Sequence, residues 1–299
     1  MKRRALIYLS DDVVEGLAAI AFAHQLAAQR AMFVVFVSPE PLRGVYEPIC
    51  NLSFANSGDF KIINFDQGST ITSRLKHAVS RLFNLRSWNL VLVAGADVSS
   101  SWPKFPSAEH VFFIRSGDGY FEALMLLQLR FWCVAQPLHV EASKSAIPAK
   151  TIKSRIMLDL SEPAPDDAAF WAEFIYSLIG KNAPLEGETV LVFSGAGEIE
   201  MLDSLAANLP LGQIEIACDD DVLTRLAVLS EIDIWVGSNP LNGYLAHCLD
   251  KTVIYPFDEQ PHWQAGYPAR ASQLNGVHIP RLGLSDLSQM IAAIFHNRA

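Results

Sequence analysis

Short apolar runs alternate along the chain with longer stretches in which apolar residues recur at helical spacing. Ala5–Leu9, Met32–Val37, Phe60–Phe65, Leu90–Ala94 and Val111–Ile114 predict strands. The run at 32–37 is continuously apolar and stops at Ser38-Pro39, as expected of a strand buried on both faces of a parallel sheet. Val13–Arg30 sets Leu17, Ile20, Ala21 and Leu26 near one face of a helix, and Thr70–Leu85 and Gly119–Ala135 read as helices too, the last halted by Pro137. Ile156–Leu160 fits a strand, and Asp166–Leu178 fits a helix that SEPAPDD starts. GKNAPLEG (180–187) is rich in turn formers and marks the expected domain boundary.

Beyond it the rhythm restarts. Thr189–Phe193 predicts a strand, followed by a helix through Asn208. The strand Gln213–Ala217, the helix Asp221–Ser230, the strand Ile232–Val236, the helix Tyr244–Leu249 and the strand Thr252–Tyr255 come next, and Ser285–His296 closes as a helix. Each series opens on strand, serine, turn and helix: YLSDD (8–12) and VFSGAGE (192–198). This predicts an α/β protein of two Rossmann-type domains, 1–183 and 184–299, facing across a cleft. Ligands of such sheets bind beyond the carboxyl ends of the strands, so the loops at 10–12, 194–198 and 237–243 are where chemistry is expected.

With 51% hydrophobic and 18% charged residues, the chain can build a sizeable core. Its formal net charge of −9 argues against nucleic acid as a partner. Cys50, Cys133, Cys218 and Cys248 are scattered without metal or redox spacing, as in a cytoplasmic protein with reduced thiols. The apolar run after the basic tip MKRR is too short for a signal peptide, and Glu122, Gln128, Arg130 and Gln136 interrupt the longest apolar region. At most peripheral membrane contact is expected.

Small residues at Ser194, Gly195, Ala196 and Gly197 could bring helix-start N–H groups up to a phosphate. The dinucleotide fingerprint needs glycine at 200, where Glu200 stands, so a tight turn with an acid-complemented helix start fits equally well. Asp219-Asp220-Asp221 contains an Asp-x-Asp that could hold a metal, but its place ahead of a helix favours an N-cap. Asp12 can likewise cap the Val13 helix, and Asp11 or Asp12 can act as a general base. The histidines show no ligand spacing, Ser194 lacks a nucleophile elbow, and no metal or cofactor is expected. Trp263 is either an apolar contact or a stacking surface.

DIWVGSNPLNGYLAHCLDKTVIYPFD (233–258) resembles a segment of the heptosyltransferase-like glycosyltransferases of lipopolysaccharide core assembly, whose fold is GT-B. Their pattern is a strand, VG-N-D-[ST]-G-P-x-H, LAAALGKP and another strand. Val236-Gly237, Leu245-Ala246, Leu249 and Lys251 keep it, as does the aromatic-proline segment Pro261 to Pro268. Asn239 stands for the family's Asp, Tyr244 for its His, and Leu241 and Asn242 for its Gly and Pro. The family's Gly-Asp turn in the N-terminal half is Asp11-Asp12.

The resemblance implies a GT-B-like fold and transfer of a heptose-like sugar from a nucleotide-diphosphate donor to a glycan or glycolipid hydroxyl, inverting and metal-independent. Asp12, with Asp11 beside it, would be the base. Ser194, Gly195, Ala196, Gly197, Ser238, Asn239, Asn242, Gly243 and Tyr244 would bind the donor. A non-catalytic nucleotide-binding or scaffold protein of the same fold is the alternative, and an epimerase of that fold ranks lower.

Overall fold

The structure is a computed structural model describing residues 3–54, 60–65, 88–94, 108–117, 119–131, 133, 154–160, 168–194, 213–218, 222–256, 276–278 and 283–298. These residues form two compact units, one running up to Cys133 and the other starting at Ser154.

The first unit is a parallel sheet of β1 (Arg3–Tyr8), β2 (Met32–Pro39), β3 (Phe60–Phe65), β4 (Trp88–Ala94) and β5 (Ala108–Ile114), in the order β3-β2-β1-β4-β5. Its helices are α1 (Val13–Arg30), α2 (Arg43–Ser53) and α3 (Tyr120–Arg130). Apolar residues surround α1 because it lies on β1, β2 and β4 while α2 and α3 pack against it. Leu6 and Tyr8, in register with Val35 and Val37 on one side and Val91 and Val93 on the other, build a second core with Trp88. Sequence reading placed no helix at 43–53, where Pro48 acts as a breaker by type yet sits inside α2.

The second unit is a parallel sheet of β6 (Ile156–Asp159), β7 (Val190–Ser194), β8 (Ile214–Cys218), β9 (Ile234–Gly237), β10 (Thr252–Tyr255) and β11 (Gly276–His278), ordered β11-β10-β9-β6-β7-β8. With it come α4 (Ala168–Ile179), α5 (Val222–Glu231), α6 (Pro240–Cys248) and α7 (Leu284–Arg298). Trp171, Phe174, Ile175 and Leu178 of α4 and Leu287, Ile291 and Phe295 of α7 share one core with the strands.

The expected division at 183/184 is corrected: it falls inside the second unit. β6 pairs with β7 on one side and β9 on the other, so the second series begins at 156 rather than at 189. GKNAPLEG is the tight link from α4 to β7, closed by Leu185 N–H donating to Leu178 O at 3.0 Å and turned by Asn182 and Gly187 at positive φ. Turn-rich composition marks a link of either kind, within a domain or between two.

Within each unit the sheet runs third, second, first, fourth, fifth in chain order, and the second unit adds a sixth strand beyond the fifth. This is the doubly wound order, whose ligand crevice opens at the carboxyl ends of the first and fourth strands, where the winding reverses. Here those strands are β1 and β4 in one unit and β6 and β9 in the other. The helices expected at 70–85 and after SGAGE lie outside the described residues.

Candidate functional site

The turn after β1 lies at the first of these reversals. Leu9 N–H donates to Val37 O at 2.9 Å, which carries the chain past the sheet edge into Ser10, Asp11 and Asp12. Asp12 is the N-cap of α1, its Oδ1 accepting the Glu15 N–H at 3.0 Å. Asp11 and Asp12 are both exposed.

The rest of the turn is tied down. Glu15, only 4% exposed, accepts the Ser10 hydroxyl at 2.7 Å on Oε2. On Oε1 it accepts the Ser116 hydroxyl at 2.9 Å and the Gly117 N–H at 2.7 Å. Ser10 Oγ in turn accepts the Asp12 N–H at 3.0 Å. From α2, the Tyr46 hydroxyl donates to Ser10 O at 2.8 Å and Asp12 O at 3.0 Å. Burial first, and then the charges of Asp12, Asp11 and Glu15, push the Tyr46 phenol far up, so it stays protonated and remains a donor at working pH. Sequence reading missed both Glu15 and Tyr46. The spacing Asp12-x-x-Glu15 is a capping-box signal that could have found the first.

Gly16 exists for this arrangement. A Cβ there would lie 2.0 Å from the Tyr46 hydroxyl oxygen and 2.4 Å from its Cζ. In an ordinary helix interior, Gly→Ala gains about 1 kcal/mol. Gly16→Ala is instead expected to destabilise by about 2–4 kcal/mol, from overpacking and two lost hydrogen bonds. A urea titration that leaves the midpoint at or above that of the wild type rejects this account.

At the reversal of the second sheet, Asp159 ends β6 in the same row as Phe193 of β7 and Gly237 of β9. It is fully buried, and its Oδ2 accepts from Trp235 Nε1 at 2.9 Å and Asn242 Nδ2 at 2.8 Å. Presenting its NH₂ to Asp159 turns the Asn242 oxygen toward Arg225, whose Nη1 stands 3.5 Å away with the guanidinium over the Phe193 ring. Asn239 is the N-cap of α6 and accepts the Asn242 N–H at 3.0 Å. Pro240, in the first turn, has no N–H, and Gly243 N–H bonds to Asn239 O. Of the first-turn amides, Leu241's is thus the one left for an acceptor outside the helix. A Cβ on Gly243 would meet Tyr255 Oη at 1.9 Å, so the helix rests directly on the Tyr255 ring.

The positions expected to bind a donor therefore separate. Ser238 is half-buried and keeps accessible surface, while Asn239 is spent as a cap. Asn242, Gly243 and Tyr244 are buried within α6, a correction to the expected polar loop at 237–243, and Tyr244, expected to open the helix, lies in its middle. The helix starts at Pro240 rather than Tyr244, because Asn239-Pro240 supplies the cap and a preset φ. Ser194 closes β7 opposite Cys218, two strand spacings from β9, or ~10 Å. Gly195, Ala196, Gly197, the 219–221 acidic cluster and Trp263 lie outside the described residues. His24 and His110 make ring contacts with Phe54 and Phe131. Among the described residues no three His, Cys, Asp or Glu side chains group as metal ligands, and no helix is long and apolar enough to cross a membrane.

No family model and no curated protein matches the sequence. Solved structures do match the fold. The chain is similar to a glycosyl transferase of family 9 from Veillonella parvula DSM 2008, with a TM-score of 0.65 at 10% identity over 97% of this chain and 89% of that one. It is similar to E. coli heptosyltransferase WaaC, solved with ADP, with a TM-score of 0.62 at 13% identity over 99% of this chain and 100% of that one. It is also similar to a UDP-GlcNAc 2-epimerase from Methanocaldococcus jannaschii, with a TM-score of 0.53 at 10% identity over 98% and 92%. At such identities the likeness is one of fold, and it bears out the expected GT-B-like α/β architecture.

Proposed function

We propose that this protein is a glycosyltransferase that moves a heptose-like sugar from a nucleotide-diphosphate donor to a hydroxyl of a glycan or glycolipid. Transfer is inverting and needs no metal, and a cytoplasmic place of action belongs to the same reading. The observation that carries it is the pair of exposed carboxylates, Asp11 and Asp12, on a multiply bonded turn at the winding reversal. In support, this fold is shared with solved heptosyltransferases.

Asp12 takes the proton of the acceptor hydroxyl while that oxygen attacks the anomeric carbon. The bond from that carbon to the diphosphate breaks on the opposite face, and the nucleoside diphosphate departs with the electron pair. Ser238 and the Leu241 N–H receive the diphosphate at the start of α6, where helix-start N–H groups favour negative charge, and the small residues Ser194, Gly195, Ala196 and Gly197 complete the donor site in this reading. Asn239, Asn242, Gly243 and Tyr244 serve this by building the helix start from within.

A melting series with ADP, UDP, GDP and CMP tests the donor site. At ~100 times its Kd, one nucleoside diphosphate is expected to add about 2.7 kcal/mol, or about 5–10 °C. Ser238→Leu is expected to shrink that rise. No rise with any nucleotide moves the reading to a non-catalytic protein of the same fold.

A further inference from the structure

Glu15 is a buried charged group, beside the proposed base, that the proposed chemistry leaves unused. It occupies the third position of α1, where a glutamate ordinarily reaches back to accept the N–H of the capping residue. Here it does not. Ser10 is interposed: the Asp12 N–H donates to Ser10 Oγ, and the Ser10 hydroxyl donates to Glu15 Oε2. The second oxygen turns to another loop and takes the Ser116 hydroxyl and the Gly117 N–H. The Glu15 main chain joins in, its carbonyl accepting the Tyr120 hydroxyl at 3.0 Å. One buried carboxylate therefore couples the turn after β1 to the turn after β5.

Capping α1 does not require this. Asp12 caps the helix alone through Oδ1, and a direct capping box would satisfy the remaining N–H without Ser10 or Ser116. Placing a carboxylate in the interior costs desolvation, offset here by three donors. What the arrangement adds over a plain cap is direction. The chain from Asp12 N–H through Ser10 to Glu15 runs one way, because the Asp12 amide can only donate and the Ser10 hydroxyl is left to donate to the carboxylate. It sets the peptide of Asp12, and the bond from Asp12 Oδ1 to the Glu15 N–H sets the side chain.

We infer that Glu15 is a positioning residue for Asp12, holding its free carboxylate oxygen in the orientation needed to accept the acceptor's proton. This rests on the glycosyltransferase reading given above. Glu15→Gln keeps the size of the side chain but must leave its oxygen on Ser116 and Gly117 and turn its NH₂ to Ser10. The Ser10 hydroxyl then loses its acceptor and the directed chain is broken. Without the turn's orientation the base is misplaced, and small misplacements of reacting groups are costly in rate.

The test measures nucleoside diphosphate release from ADP-heptose, UDP-glucose and GDP-mannose, with deacylated lipopolysaccharide core oligosaccharide as acceptor. Wild type, Glu15→Gln, Ser116→Ala and Asp12→Asn are compared, each with its melting temperature. Glu15→Gln is expected to lower kcat about 10-fold or more, with KM for the donor within about two-fold. Ser116→Ala, which removes one exposed donor and spares the fold, is expected to lower kcat about three-fold with the same KM. If kcat for both variants stays within two-fold of the wild type, Glu15 only holds the fold and the inference fails, while the transferase reading stands. If Glu15→Gln does not fold, Ser116→Ala alone decides. A wild type that releases no diphosphate from any of the three donors overturns the reading and the inference together.

Discussion

Asp12→Asn is expected to slow sugar transfer by ~100- to 10,000-fold, the usual cost of losing a positioned base. Asparagine matters in this substitution. Its amide oxygen can still accept the Glu15 N–H, and it caps helices as well as aspartate does. The variant is therefore expected to melt within about 2 °C of the wild type and to bind nucleoside diphosphates unchanged. Asp12→Ala mixes two effects, since losing the cap alone costs about 1 kcal/mol. Asp11→Asn is the companion measurement, because Asp11 is also exposed on the same turn. Wild-type rates in both variants refute the base assignment, and loss confined to Asp11→Asn transfers the role to that residue.

The largest effect on stability is expected at Asp159. Asp159→Ala leaves the Trp235 indole N–H and the Asn242 amide without their acceptor at fully buried positions and opens space beneath Gly237. Each stranded buried donor costs about 1–3 kcal/mol, so a total of about 3–5 kcal/mol is expected with the lost volume. That is a large share of a typical stability of about 5–15 kcal/mol. Asp159→Asn separates causes: its carbonyl oxygen can accept both bonds, so it should lose less than half as much. Thermal denaturation of the two variants decides. An alanine variant melting within 3 °C of the wild type shows that the carboxylate holds nothing essential.

Much of this architecture is written in the periodicity of the chain. The strand at 32–37 is legible because a parallel strand buried on both faces needs an unbroken apolar run, and β2 is such a run. The strand at 156–160 was legible as an element, but not as the centre of a sheet. A four-residue strand carries no mark of which neighbours it will pair with, and pairing is decided by contacts remote in sequence. Asp12 was legible as a cap because capping is local. The partners of Glu15 at 116–117 and of Asp159 at 235 and 242 were not, because they come together only when the strand ends line up. At Asn239-Pro240 the local signal was present, and it shows why Asn242 and Tyr244 face inward.

The close approach of Gly16 to Tyr46 has a bearing on how this chain can drift in sequence. Neither position is free on its own, since a side chain at 16 collides with the ring and a smaller residue at 46 leaves a hole above the turn. A viable descendant with alanine at 16 must first, or at once, give up the aromatic ring at 46. The carbonyls of Ser10 and Asp12 would then need another donor. The two sites thus form one inherited unit, thirty positions apart in the chain. Paired exchange at 16 and 46 is the trace this packing leaves among descendants, long after overall identity has faded.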